Sequence, residues 1–516
     1  MKIVILGGGF GGVYTLKYLH KLFCNRRLCR LYADYAEKDI DTDFGDFTQT
    51  IQKNISAKSA SNSVKSAHNV KLVLVNKKNY FLFTPLLHEF ATGGVSLENL
   101  VEPIREIIRC CDYEFIHGEV KRIDLEKKIV YVDTQTSRAL GGKNKNADFA
   151  QKEKNNIFAE SAFYSAKSTI ISYDYLVIAL GSKTNFYNIP GAEENSFTLK
   201  SLDDAIRLRN HFIHMFEKYA DSADLTQTRQ KNKNADYADF TQAGQNEISA
   251  KAKSALNSAK SASLTFVIVG GGATGVELAG EMSDYFYKTF SKFYPKEIIS
   301  KVKIILIERG NELIPQFSPK LRKIALETLR KKNIEVILGK GVKEVGKDFI
   351  KLDDETIIKT KTIIWTAGVE PNLPEIVGNI EKDSKGRLIV NEYLQVKNYD
   401  NVFALGDVCC FIQDQKPLPQ LAQVAVREAK VVAKNIFNLV QNKPLEKFVY
   451  KHQGDLISLG RFFAIGEIKN FTFSGFFVWI LWRGVYLSKM ISNKNKIRTF
   501  IDWLLDFFYP RDITEI

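Results

Sequence analysis

Two glycine triplets in this chain could each hold a pyrophosphate. Gly7, Gly9 and Gly12 stand in "KIVILGGGFGGVYTLKYL", and Gly270, Gly272 and Gly275 stand in "LTFVIVGGGATGVELAGEM". In the G-x-G-x-x-G spacing the first glycine makes a tight turn. The second lets the backbone approach the ligand, and the third lets helix and strand pack closely. The phosphates then meet free N–H groups at the positive end of a helix. A lone motif of this kind is weak, but both copies have an apolar strand before them and a helix after, the context the motif requires. Two dinucleotide sites are expected.

Each site needs a partner for the adenosine ribose at the end of the next strand. The second unit supplies Glu308, which closes "KIILIERG". A carboxylate there accepts ribose hydroxyls and repels a 2′-phosphate, which favours NADH over NADPH, although the neighbouring Arg309 softens that preference. The first unit departs from the pattern: "VKLVLVN" ends in Asn76, followed by Lys77 and Lys78. An amide can accept one ribose bond but brings no charge, and Asn76 reads equally as a turn residue.

The elements that position these residues require an α/β chain with two Rossmann-type dinucleotide-binding domains. At 516 residues and 45% hydrophobic the chain has material for more than one core. Three segments rich in Ala, Ser, Lys and Asn interrupt it, at about 29–69, 137–168 and 221–263, with the phrase "KNKNAD" appearing in two of them. They read as surface loops, because closure entropy grows only logarithmically with length. The net charge of +14 draws anions, which nucleotides and acidic lipid headgroups satisfy as well as nucleic acid. The six cysteines are few for this length, and Cys110/Cys111 and Cys409/Cys410 are adjacent. Reduced thiols in a cytosolic setting are expected. "KIVILGGG" leaves no room for a signal peptide, and no apolar run is long enough to span a bilayer. No metal-ligand cluster stands out.

The order of motifs, "FLFTPLLHEFATGGVS", "YDYLVIALGS", the second phosphate loop, "IIWTAGV", "NVFALGDVCC" and "LPQLAQVAVREAK", resembles that of the two-dinucleotide-binding flavoprotein reductases. Within them the chain is similar to type II NADH dehydrogenase, the single-subunit NADH:quinone oxidoreductase. The resemblance implies FAD and NADH as cofactors and a membrane quinone as acceptor, without proton pumping. It implies an FAD-binding domain in two parts, 1–200 and 371–445, an NADH-binding domain at 201–370, and a membrane-anchoring and dimerisation region at 446–516. It places Asp407 on a ribityl hydroxyl, and Gly181 and Gly368 where backbone passes near a cofactor. Gln423 falls at the flavin–quinone junction. Arg427 stands where many members carry a second Gln, so it either contacts quinone or pairs with a surface acid. Glu277 is implied as a proton relay, with Glu281 one turn later against an interdomain surface.

Cys24 and Cys29 have the spacing of a redox pair but not its setting, since they enter an insert rather than open a helix. Cys409 and Cys410, beside Asp407, leave sulfide:quinone reductase as an alternative. A soluble flavoprotein reductase and a membrane-bound NADH sensor are the others.

From Asn470 to Arg498 there are five basic residues and no acidic ones, and three of the four tryptophans lie in the last 38 residues. "FTFSGFFVWILWRGVYLSKMI" and "KNKIRTFIDWLLDFFYPR" read as two amphipathic helices. Their aromatic faces would enter the headgroup boundary, and Arg483, Lys489, Lys494, Lys496 and Arg498 would meet anionic lipid. A peripheral position on the cytoplasmic face of the inner or plasma membrane follows, with a homodimer possible and no nucleic-acid partner.

Overall fold

The computed structural model describes residues 1–23, 70–108, 113–134, 168–233, 264–469 and 471–516. The expected inserts at 29–69 and 137–168 lie outside the described residues apart from Ser168, as do Cys24, Cys29, Cys110 and Cys111. The third insert differs: the helix Leu202–Lys233 runs into it before the description stops.

The chain forms two compact units, 1–81 with 102–182 and 370–450, and 82–101 with 183–369 and 451–516. In the first, the strand Lys2–Leu6 lies between Lys71–Asn76 and Tyr175–Ile178, all parallel. Val402–Ala404 extends the sheet on one side, and Glu114–Asp124 continues it on the other. "KIVIL" is buried at four successive positions, so both faces of the strand are covered, as in parallel sheets. The helices Phe10–Phe23 and Ala422–Val440 pack on each other against this sheet.

The second unit repeats the arrangement. The fully buried strand Thr265–Val269 lies between Lys303–Glu308 and Thr362–Trp365, again all parallel, with Ile334–Leu338 beyond. In both units the strand feeding the phosphate loop has the ribose strand on one side and the "ALG" or "TAG" strand on the other.

The motif "FLFTPLLHEFATGG" was expected with the first domain. From Leu82 onward it packs in the second unit, where the short helix Leu87–Ala91 lies against Leu202–Lys233 and Ala273–Asp284. Its apolar residues Leu86, Leu87, Phe90 and Ala91 are all buried there.

The tail also corrects an expectation. Phe471–Gly475, read as the start of a helix, is a strand paired with Ala464–Ile468. The helices are Phe476–Lys489 and Asn493–Phe508. Trp479, Trp482 and Trp503 are buried, not interfacial, and so is Arg483. The Arg483 guanidinium lies 3.7 Å over Trp479 and 4.7 Å over Trp503, and pairs with Glu89 at 3.9 Å and Asp506 at 3.7 Å. A desolvated guanidinium needs acids around it, so Arg483 faces inward and not toward lipid. The outward faces of the two helices carry Phe477, Ile480, Ile497, Phe500, Leu504 and Phe508.

Candidate functional site

Gly7 adopts φ +104°, and a Cβ there would overlap the Ala179 carbonyl. Gly9 faces open space, and a Cβ at Gly12 would overlap the Gly7 carbonyl. The second loop matches it position by position. Gly270 has φ +112°, Gly272 faces open space, and a Cβ at Gly275 would overlap the Gly270 carbonyl. The turn, approach and packing roles expected of each triplet therefore all have a steric counterpart. The first intrahelical bonds run from Val13 N–H to Gly9 O and from Val276 N–H to Gly272 O, 3.0 Å in each case. The amides of Gly11 and Gly12 in the first helix, and of Ala273, Thr274 and Gly275 in the second, precede these bonds and lie in the turn where an anion is accommodated.

Both strand-end residues anchor their own loops. Glu308 accepts from the amides of Gly271 and Gly310, each at 2.6 Å. Asn76 accepts from Gly8 N–H at 2.8 Å and donates to Lys78 O at 2.8 Å. In the first unit a cavity of about 350 Å³ opens beside Gly7, Gly9, Asn76, Glu119, Lys121 and Gly181. Loop amides aimed at a cavity of this size suit the phosphate-bearing part of a dinucleotide. Gly181 leaves open space, whereas Gly368 is covered by the ring of Tyr187, within the second unit.

Asp407 follows the strand Val402–Ala404, as expected, and accepts a hydrogen bond from Ser182 Oγ. Its carbonyl takes Gln420 Nε2 at 2.9 Å. The turn is held from behind by Glu428, whose carboxyl accepts from Gly406 N–H at 2.6 Å. Burial pushes the Glu428 pKa up to about 8, so it carries a proton at neutral pH. Sequence reading missed Ser182 and Glu428. An acid one turn past Val424 on the buried stripe of an amphipathic helix was the available signal.

Gln423 is half-buried in the first turn of the helix Ala422–Val440. Arg427, one turn on, lies 5.1 Å over the ring of Tyr450.

In the second unit Glu277 is buried and accepts from Ser458 N–H at 3.3 Å. His88 Nδ1 stands 4.0 Å from its other oxygen. Desolvation raises the Glu277 pKa to about 8 and lowers that of His88 to about 3, so both are neutral near pH 7. Glu281 pairs with Arg511.

Cys409 and Cys410 are buried, and burial pushes both thiols up. Thiolate chemistry needs the opposite shift, so these residues do not support a sulfide:quinone reading. Among the described residues no cluster of His, Cys, Asp and Glu is arranged to hold a metal ion.

Two phosphate-loop cradles, each at the end of a strand flanked by parallel neighbours, define a protein of the class that binds two dinucleotides. Residues 55–429 match the model for pyridine nucleotide-disulphide oxidoreductases, and 452–512 match the NDH2 C-terminal domain. The chain belongs to the pyridine nucleotide-disulphide oxidoreductase family and, within it, to the type II NADH dehydrogenases. It is 31% identical over 455 residues to a probable NADH dehydrogenase of Dictyostelium discoideum, covering 87% of this chain and 88% of that one. It is 29% identical to the type II NADH:quinone oxidoreductase of Haemophilus influenzae, covering 79% and 83%. In fold it is similar to NDH2 from Plasmodium falciparum in complex with NADH, with TM-score 0.73, 21% identity and 99% of each chain covered. It also resembles the sulfide:quinone oxidoreductase of Aquifex aeolicus, with TM-score 0.60, 18% identity, and 99% and 95% covered.

Proposed function

We propose that this chain is a type II NADH:quinone oxidoreductase, with FAD and NADH as cofactors, which passes electrons to a membrane quinone without pumping protons. The observation that carries this is the pair of cradles, each with a glycine whose missing Cβ leaves the backbone open to a ligand. FAD, when bound, supplies the two-electron chemistry between nicotinamide and quinone.

The chain's own residues bind and orient. The amides of Gly9, Gly11 and Gly12 would hold the FAD pyrophosphate, with Gly181 leaving room and Asp407 taking a ribityl hydroxyl. The amides of Gly272–Gly275 would hold the NADH pyrophosphate. Glu308, fixed by two loop amides, would accept its ribose hydroxyls and disfavour a 2′-phosphate. Gln423 and Arg427 would meet the quinone, with Arg427 braced on Tyr450. Glu277 holds a proton near neutral pH, the state a donor to reduced quinone requires.

No described helix is long and apolar enough to cross a membrane. The exposed face formed by Phe477, Ile480, Phe500, Leu504 and Phe508 would instead lie in the headgroup boundary. Lys489, Lys494 and Arg498, all exposed, would meet anionic lipid, giving a peripheral position on the cytoplasmic face of the inner or plasma membrane. The same helices offer a surface to a second copy of the chain.

The test is spectroscopic. Detergent-purified protein should show a flavin band that bleaches with NADH and returns with added quinone. A colourless protein that stays so after FAD is supplied would overturn the reading.

A further inference from the structure

The first cradle lacks the strand-end acid that the second one has. Asn76 fills the position, and its amide is engaged at both ends, on Gly8 N–H and Lys78 O. It thus holds the loop as Glu308 does, but brings no charge to a ribose. The neighbouring strand supplies one. Glu114–Asp124 pairs in parallel with Lys71–Asn76, with His117 opposite Asn76, and then runs on past the end of the shorter strand. Glu119 therefore stands beyond a strand's carboxyl end, where parallel sheets bind their ligands. It lines the same cavity as Gly7, Gly9 and Asn76.

The carboxylate is also held in place. Lys121 pairs with one oxygen at 2.7 Å and Lys77 with the other at 3.1 Å, and both lysines line the cavity. The hydrogen bond from Lys121, then that from Lys77, holds the acid below the usual carboxylate range. It is an ionised acceptor with lone pairs to spare beside phosphate-binding amides. A vicinal diol offers two O–H donors to such a group.

We infer that Glu119 replaces the missing strand-end acid and takes the adenosine ribose hydroxyls of FAD, with Lys77 and Lys121 as positioning residues. This rests on the reading of the first cradle as the FAD site. Asn76 keeps the loop closed, so the two duties that Glu308 combines are divided here between two strands.

The experiment is a titration of flavin-stripped protein, followed by quenching of flavin fluorescence. The ligands are FAD and an FAD analogue without the 2′- and 3′-hydroxyls of the adenosine ribose. The wild-type protein should bind the analogue about tenfold to a hundredfold more weakly, the range for hydrogen bonds to a charged group. Glu119→Gln should weaken FAD by a similar factor and shrink the difference between the two ligands to within about threefold. Asn76→Ala should weaken both ligands alike. Thermal melting of stripped Glu119→Gln should match wild type, since Glu119 is half-exposed. A full hydroxyl penalty retained in Glu119→Gln, or lost in Asn76→Ala instead, overturns the inference. Failure of the wild-type chain to take up FAD overturns the cradle assignment itself.

Discussion

The carboxylate of Glu281 and the guanidinium of Arg511 form an ion pair that is almost wholly withdrawn from solvent, with side-chain exposures of 1% and 2%. Arg511 also donates to Asp506 and to Thr92, each at 3.2 Å. The pair thus ties the segment after the last helix to the helix that follows the second phosphate loop. Removing one partner strands the other charge. Arg511→Leu should cost roughly 3–5 kcal/mol of stability, and pairing it with Glu281→Leu should restore part of that loss. Chemical denaturation of the single and double variants measures this.

A contrast within one loop separates fold from binding. Gly272→Ala places a methyl group in open space, where a phosphate would approach, so the variant should melt like wild type and bind NADH at least about tenfold more weakly. Gly275→Ala drives a methyl group into the Gly270 carbonyl. That variant should be destabilised by about 2 kcal/mol or more in the absence of any nucleotide. Calorimetric binding and thermal melting distinguish the two.

Glu308 anchors its loop and is proposed to meet the ribose, so its conservative and truncating substitutions should differ. Glu308→Gln keeps an acceptor but loses the charge, and should narrow the preference for NADH over NADPH by about tenfold. Glu308→Ala frees the amides of Gly271 and Gly310 and should weaken both nucleotides. Steady-state kinetics with each nucleotide gives the ratio.

Glu428 gives the first unit a pH dependence. Its folded-state pKa, about 8, lies above the ordinary 4.5, so the folded chain holds a proton that the unfolded chain releases. The stabilisation is fully present below the unfolded value and is lost as the pH rises through the folded one. Glu277, also raised to about 8, acts in the same direction in the second unit. Glu428→Gln should flatten the decline between pH 5 and pH 8.5, leaving the variant more stable than wild type at the alkaline end by on the order of a few kcal/mol. Denaturant midpoints across that range check the slope.

The outward face of the tail is expected to hold the chain on lipid. Phe477 and Phe508 are 83% and 75% exposed, so replacing both by Asp should leave the fold intact. Co-sedimentation with anionic vesicles should fall about tenfold or more. NADH-dependent reduction of a water-soluble acceptor should persist.

Much of the frame was legible because it depends on local chemistry. The strand–glycine–helix runs, Glu308 at a strand end and Asp407 after "NVFALG" each carry their signal within a few residues. The tail was less legible because a tryptophan-rich helix looks the same whether it faces lipid or its own core. Arg483 shows the difficulty: read as a lipid contact, it is buried by Glu89, which lies almost four hundred residues away in sequence. A clue was present, since Glu89 in "LLHEF" and Asp506 in "WLLDFF" are acids inside apolar runs, and such acids need buried partners. The alternation in "FTFSG" likewise signalled the strand Phe471–Gly475. Glu119 had no such signal, because only the parallel register carries it past the end of the strand Lys71–Asn76 and into the same cavity as Asn76.

The placement of the indoles has a practical consequence. All four tryptophans, Trp365, Trp479, Trp482 and Trp503, belong to the second compact unit, and each is at most 3% exposed. Tryptophan emission from this protein is therefore a one-sided gauge. It will shift to the red when that half loosens and stay silent while the other half melts, so an optical unfolding curve and a calorimetric one need not agree.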